Sequence, residues 1–247
     1  MTDTILGMGE VGNTLFNLLE ERGFNCIGID IQKSKSRNYS EDVAVKNTEF
    51  LHVCIPGERN DFDEIVKDWI NKFSKLKMAI IHSTVKPGTT KRIQSSAEIP
   101  LIFSPVRGIH SRFLDDVKKY SKFVSSDVPL NPEIKLELEK RFVRIQWMST
   151  TKTAELAKIL VDTTYYGWLI NYAQITKMIC DEEKIDFDEM WKFSDEIHEN
   201  LGNRPKMYPG IIGGHCVLPN LNLINNENIE RIKKINEQFT NKIRSLI

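Results

Sequence analysis

The chain has 247 residues, 40% of them hydrophobic and 28% charged, with 34 Lys and Arg set against 34 Asp and Glu. That length admits one large domain or a dinucleotide-sized domain with a smaller helical one, and the charge balance supplies no global field to draw in nucleic acid or an anionic membrane. No apolar run reaches the roughly 18 residues that span a bilayer, the first residues lack a signal-peptide pattern, and Cys26, Cys54, Cys180 and Cys216 fit neither a disulfide framework nor a zinc site, so a cytoplasmic protein without a metal centre is expected.

The first half alternates short apolar runs with amphipathic stretches. Thr4-Ile5-Leu6 leads into Gly7, and a helix is expected from about Val11 to Arg22. Buried-strand patterns follow at Cys26 to Asp30, Leu51 to Ile55, Met78 to His82, Pro100 to Phe103 and Phe142 to Trp147, with a helix over Phe62 to Phe73. Strands alternating with helices imply βαβ units and a parallel sheet. The character changes near Ser149. One long helical pattern runs from Thr150 to about Glu183, with Thr150 or Thr151 as its cap, and a second helix covers Asp186 to Asn200. A Gly/Pro-rich loop from Gly202 through Pro219 then precedes a last amphipathic helix from about Asn228 to Leu246. The expected architecture is α/β, a doubly wound parallel sheet over residues 1–148 followed by a smaller all-helical domain over residues 149–247.

Gly7-Met8-Gly9-Glu10-Val11-Gly12 is a full Gly-x-Gly-x-x-Gly that follows a strand and opens a helix, with Asp30 at the end of the next strand, about 20 residues on. In such a Rossmann-type turn Gly7 permits the tight bend, Gly9 lets the backbone approach a pyrophosphate, and Gly12 lets helix and sheet pack closely. The helix N-terminus offers N–H groups and a positive dipole end to the phosphates. Asp30 would accept from ribose hydroxyls and repel a 2′-phosphate, which favours NAD over NADP, although Lys33 and Lys35 lie just beyond. Ile31, Ile55, Pro56, Ser83 and Thr84, at or just past strand ends, complete the expected cofactor set.

Three further segments carry chemistry. His82-Ser83-Thr84-Val85-Lys86-Pro87-Gly88-Thr89-Thr90 begins at a strand end. Thr153-Ala154-Glu155-Leu156-Ala157-Lys158 opens the long helix, and Asp162 lies four residues on, on the face of Lys158. Pro209-Gly210-Ile211-Ile212-Gly213-Gly214-His215-Cys216-Val217-Leu218-Pro219-Asn220 is a glycine-rich loop that presents a cysteine. With the fingerprint, these motifs resemble, in order, those of the nucleotide-sugar 6-dehydrogenases, the UDP-glucose, GDP-mannose and UDP-N-acetylmannosamine dehydrogenase family. The resemblance spans nearly the whole chain. It implies that a substrate primary alcohol gives a hydride to NAD, that Cys216 captures the aldehyde, and that a second hydride leaves a thioester for water to cleave. It further implies that Lys158 stabilises the oxyanion, that Asp162, Asn220 and Thr84 join the catalytic set, that Arg107, Gly213 and Gly214 meet a sugar or nucleotide-sugar substrate, and that the long helix forms a homodimer.

Several positions depart from the family pattern. Ser104-Pro105 is followed by Val106 where the family has Glu, a residue associated with handling the thioester. Asp162 replaces an Asn, Asn220 replaces an Asp, and Pro219 replaces a Lys. The segment from Ile31 to Asn47 is short, and the chain stops near where the family's C-terminal nucleotide-binding domain would start. Two alternatives stay open: a small-substrate enzyme similar to the β-hydroxyacid dehydrogenases, using Lys158 with Cys216 incidental, and a cofactor-binding protein without turnover. Cys26, Cys54 and Cys180 read as small core hydrophobes, and His82 and His215 as filler beside motifs. Arg107 and Arg112 read as a candidate clamp for an anionic group, and Tyr165, Tyr166, Trp168 and Leu169 as packing or dimer residues.

Overall fold

The strands alternate apolar side chains to two faces, and both faces are covered, which is why their sequences read as continuous hydrophobic runs. In the computed structural model, residues 1–108, 113–201, 207–213 and 217–245 are described. The chain divides into two compact units, Met1–Lys158 and Ile159–Ile247. The division falls later than Ser149 because the opening turns of the long helix pack on strands of the first unit, with Ala154 inside that unit's core.

The first unit holds β1 (Thr2–Leu6), α1 (Glu10–Glu21), β2 (Asn25–Ile29), α2 (Glu41–Asn47), β3 (Thr48–Val53), α3 (Phe62–Lys72), β4 (Met78–Ile81), α4 (Thr89–Gln94), β5 (Leu101–Phe103), α5 (Phe113–Lys119), β6 (Lys122–Ser125), α6 (Pro132–Arg141), β7 (Ile145–Met148) and α7 (Thr151–Ala157). Its seven-stranded sheet has the order β2-β1-β3-β4-β5-β6-β7. Leu51, Val53, Ala79, Ile81, Leu101 and Phe103 face α3, α4 and α7, while Phe50, Met78, Ile80 and Ile102 face α1, α5 and α6.

The expectation of a wholly parallel sheet is corrected at one pair. β5 and β6 are antiparallel, and all other pairs are parallel. The connection through α5 ends at the carboxyl edge of β5, so β6 begins there and has to run back. At the opposite edge the short segment after β2 forms no further strand. It turns through a 3-10 helix at Lys33–Lys35 and lays Arg37 antiparallel beside Gly28, with Gly28 N–H donating to the Arg37 carbonyl at 2.8 Å and the reverse bond at 2.9 Å. That bridge blunts the exposed edge.

The second unit is helical: α8 (Tyr165–Glu183), α9 (Phe187–Leu201), α10 (Val217–Leu221) and α11 (Glu227–Arg244). Thr150 caps the long helix as expected, its hydroxyl accepting from Thr153 N–H at 3.1 Å. Between α7 and α8 the helical run is continuous but widens to a π-helix over Lys158–Thr164, which residue periodicity did not foretell. Val217 to Pro219, expected to end a loop, instead open a helix over Val217–Leu221, whose Val217 and Leu221 pack with Ile229 and Ile232 of α11. Among the described residues no helix is long and apolar enough to cross a membrane, and no three His, Cys, Asp or Glu side chains group as metal ligands would.

Candidate cofactor and catalytic site

β1 is flanked by β2 on one side and β3 on the other, so the chain changes side of the sheet between β2 and β3. Open α/β sheets hold ligands at the carboxyl ends of strands at such a switch point. Gly7 sits there with φ +94°, and a Cβ on it would lie 2.9 Å from the Cys54 carbonyl carbon and from Ile55 N. A Cβ on Gly12 would fall 1.9 Å from the Gly7 oxygen. Both positions therefore require glycine. Gly9 caps α1 without a side chain and has no neighbour within 4 Å of a built Cβ, so it keeps the helix N-terminus approachable. Glu10 and Val11 open the helix, Glu10 exposed and Val11 half-buried.

Asp30 holds this turn. Its carboxylate accepts from Met8 N–H at 2.8 Å through one oxygen and from Gln32 N–H at 2.8 Å through the other. Each oxygen keeps a further lone pair for a hydroxyl of a bound ribose. Met8 is fully buried beneath Gly28, where a Cβ would meet its sulfur at 2.6 Å, and Ile31 is exposed. At the neighbouring strand ends Ser83 Oγ donates to the Ile55 carbonyl at 2.5 Å. A Cβ on Gly57 would lie 2.0 Å from the Thr84 carbonyl oxygen. The carboxyl edge thus gathers Gly7, Ile55, Pro56, Ser83 and Thr84. Gly57 was not singled out in the sequence, although Pro56-Gly57 after an apolar run is a turn signal.

Two of the motifs are bonded to each other. Glu155, fully buried, accepts from Gly88 N–H at 2.5 Å, Thr90 N–H at 2.9 Å and Thr90 Oγ at 2.7 Å. Burial pushes its carboxyl above the usual range, the bonds from Thr90 and Gly88 oppose that, and the charge of Asp127 adds to it. Lys158 follows three residues later as the last residue of the first unit. Arg107 donates to the Ser121 carbonyl at 2.9 Å, and its guanidinium lies 4.7 Å over Phe123 and 5.2 Å over Tyr120. Val106 is buried in the apolar cluster with Phe113 and Val124. His82 is no filler: it is buried and hydrogen-bonded to His52.

In the second unit Asp162 and Thr163 lie in the π-helical turn, and Asn220 donates to Thr163 Oγ at 3.3 Å. Asn236 braces the glycine-rich loop by accepting from Ile212 N–H at 2.7 Å and donating to the Ile212 carbonyl at 3.1 Å, while Gln174 donates to the Gly210 carbonyl at 2.6 Å. Gly213 ends the described part of this loop; Gly214, His215 and Cys216 lie outside the described residues, as does Arg112. Of the described cysteines, Cys26 and Cys180 are buried and Cys54 half-buried. Burial pushes the thiols of Cys26 and Cys54 up to about 12, too high for a thiolate nucleophile near neutral pH.

No protein-family model matches the chain. It is 24% identical over 258 residues to the UDP-N-acetyl-D-mannosamine dehydrogenase of Methanocaldococcus jannaschii, an alignment covering 86% of this chain and 58% of that protein. The chain is similar in sequence to that nucleotide-sugar dehydrogenase. It thus spans somewhat over half the length of the curated relative it matches. The fold is shared with the UDP-D-ManNAc dehydrogenase of Pyrococcus horikoshii (TM-score 0.78, 20% identity, 97% of this chain and 69% of that one). It is shared also with a 3-hydroxyisobutyrate dehydrogenase of Mycobacterium tuberculosis (TM-score 0.68, 13% identity, 96% of this chain and 93% of that one).

Replacing Glu155 by Ala leaves two backbone N–H groups and a hydroxyl without their acceptor, at a cost of about 1–3 kcal/mol. Urea unfolding of Glu155→Ala should show that loss, and an unchanged midpoint would mean the bond between the two motifs contributes nothing.

Proposed function

We propose that the chain is an NAD-dependent dehydrogenase that oxidises the primary alcohol of a sugar nucleotide to aldehyde or acid. The observation that carries this is the glycine turn at the switch point, in a chain whose sequence aligns over 86% of its length with a UDP-N-acetyl-D-mannosamine dehydrogenase. The residues present fit the cofactor: an open Gly9 at the head of α1 suits the pyrophosphate, and Asp30 retains lone pairs for the ribose. Gly7 to Gly12, Asp30, Ile31, Ile55, Pro56, Ser83 and Thr84 would hold it. Bound NAD supplies the hydride acceptor.

The chain's own residues supply the rest. Lys158 places an ammonium beside the substrate oxygen and stabilises the negative charge that grows there. Asp162, four residues on in the same helical run, belongs to the same catalytic set. Cys216 Sγ adds to the aldehyde carbon, a C–S bond forming as the carbonyl becomes an alkoxide. Transfer of a second hydride, to a second NAD that would have replaced the NADH, gives the thioester, and water cleaves it to acid and free thiol. Asn220 orients by hydrogen bonds but cannot serve as a base, and the buried Val106 offers no acid at the turn after β5. Arg107, Gly213 and Gly214 belong to the substrate side. The end-to-end fold match to a 3-hydroxyisobutyrate dehydrogenase favours a second reading, in which a small hydroxy acid is the substrate and Lys158 acts without Cys216.

The protein also forms a homodimer through the long helix. Val161, Tyr165, Trp168, Tyr172 and Ile179 recur at heptad-like spacing on it and are all exposed, Val161 by 72% and Tyr172 by 61%. Sedimentation should show a dimer that Tyr172→Glu dissociates, and a monomeric native protein would exclude it.

Purified protein should form NADH with UDP-N-acetylmannosamine or a related sugar nucleotide. About two NADH per substrate consumed marks oxidation to the acid and about one marks a stop at the aldehyde, and Cys216→Ala should abolish acid formation. Turnover of 3-hydroxy acids alone, surviving Cys216→Ala and lost in Lys158→Ala, would establish the second reading. No NADH from any alcohol would overturn both.

A further inference from the structure

The α6-covered face of the sheet carries a buried polar chain that the reaction does not use. Arg141 at the end of α6 is fully buried and grips Asp3 with Nε to Oδ1 at 2.6 Å and Nη2 to Oδ2 at 2.9 Å. From Asp3 the chain steps diagonally, two residues forward on each successive strand: β1 pairs Ile5 with His52, and β3 pairs His52 with Ile80, two before His82. Asp3 Oδ1 lies 2.8 Å from His52 Nε2, and His52 Nδ1 lies 3.0 Å from His82 Nε2. His82 Nδ1 then lies 3.3 Å from Lys122 Nζ and 2.8 Å from the Ser104 carbonyl oxygen.

Counting protons along this path gives it a direction. The Asp3 carboxylate only accepts, so His52 Nε2 carries a hydrogen. Burial, together with the neighbouring positive charges, holds both imidazoles below their ordinary pKa and so neutral. A neutral His52 offers Nδ1 as acceptor, so a neutral His82 has one hydrogen for two facing acceptors, His52 Nδ1 at 3.0 Å and the Ser104 carbonyl at 2.8 Å. The Lys122 ammonium, which donates to that carbonyl and lies 3.3 Å from His82 Nδ1, selects hydrogen on Nε2 and leaves Nδ1 as its own acceptor. Lys122, itself buried, also donates to the carbonyls of Ser104 at 2.8 Å and Pro105 at 3.0 Å. Its three hydrogens thus match three acceptors. Arg141, which does not release a proton in proteins, closes the far end, so the chain is a fixed strut and not an exit path for protons.

Lys122 and Arg107 bind the same two segments in opposite senses. Lys122 takes two carbonyls of the Ser104–Arg107 turn, and Arg107 of that turn takes the carbonyl of Ser121. We propose that Lys122 is a positioning residue: its ammonium, aligned by the Asp3–His52–His82 strut, clasps the Ser104–Arg107 turn at the carboxyl edge of the sheet and so fixes Arg107 for an anionic group of the substrate. The role of Arg107 rests on the function proposed above; the clasp does not. Charged or titratable groups facing Lys122 are His82 beyond β4, Cys54 beyond β3, Arg107 of the turn and Lys158 after α7. Burial lowers the ammonium pKa to about 7, and the charges of Lys158 and Arg107 add to that. The clasp is therefore fully charged below neutral pH and loses its charge as the pH rises.

Long-range 15N–1H spectra of the wild-type imidazoles test the clasp without any substrate. His52 and His82 should both be Nε2–H tautomers, and the His82 Nδ1 resonance should shift with a midpoint near pH 7, a shift that Lys122→Met abolishes and Lys122→Arg does not reproduce. A His82 carrying hydrogen on Nδ1 in the wild-type protein, or an Nδ1 resonance blind to Lys122→Met, would overturn the proposal. With a sugar nucleotide that the wild type oxidises, Lys122→Met should raise KM about tenfold and leave kcat within about twofold, and Lys122→Arg should restore most of the loss. An unchanged KM would remove the link to Arg107. Absence of turnover by the wild type would count against the proposed function, while the imidazole spectra would still decide the clasp.

Discussion

The close approach of two backbone segments at the head of the sheet governs the rest of this structure. Gly12 of α1 sits so near the Gly7 carbonyl that a methyl group there would be 1.9 Å from oxygen. Gly7 in turn lies so near Cys54 and Ile55 that its own Cβ would meet them at 2.9 Å. With glycine at both points, β1 ends in a turn tight enough to aim the N-terminus of α1 along the carboxyl edge. The ladder continues across it, Gly7 N–H bonding the Ile29 carbonyl and Cys54 N–H the Leu6 carbonyl, each at 2.8 Å. Asp30 then fastens the turn by accepting from Met8. A larger residue at either glycine would separate helix from sheet before it affected any ligand.

Around that turn, hydrogen bonds between motifs do what apolar packing cannot: they set register along the edge. Glu155 joins the opening of the long helix to Gly88 and Thr90, Ser83 joins β4 to the loop after β3, and Lys122 joins β6 to the turn after β5. All lie in or beside segments that carry the family resemblance. Part of each motif therefore serves to hold its neighbour in place, as Glu155 does for Gly88 and Thr90. In the second unit Asn236 and Gln174 play the same part for the backbone of the glycine-rich loop.

Much of this was legible in the sequence. The glycine fingerprint with Asp30, the apolar runs of β1 to β5 and the three long helices are signals of composition and period, and they survive because burial on both faces demands them. β6 was missed because Lys122-Phe123-Val124-Ser125 is only four residues long, begins with a charge and ends with a hydroxyl. Its reversed direction follows from where α5 ends, which no local pattern records. His82 read as filler because the partner that gives it meaning, His52, is 30 positions away and on another strand. The π-helical turn over Lys158–Thr164 leaves no mark in residue type, and Cys216 lies outside the described residues.

The claim on which the functional account stands is that the glycine turn binds a dinucleotide. Titration of the purified protein with NADH, followed by the cofactor's fluorescence, tests it most directly. The account predicts saturable binding, displaced by NAD more readily than by NADP and lost in Gly9→Asp, whose carboxylate would meet the pyrophosphate. Folded protein that binds neither NADH nor NAD, or that binds them equally well with Asp at position 9, would contradict it.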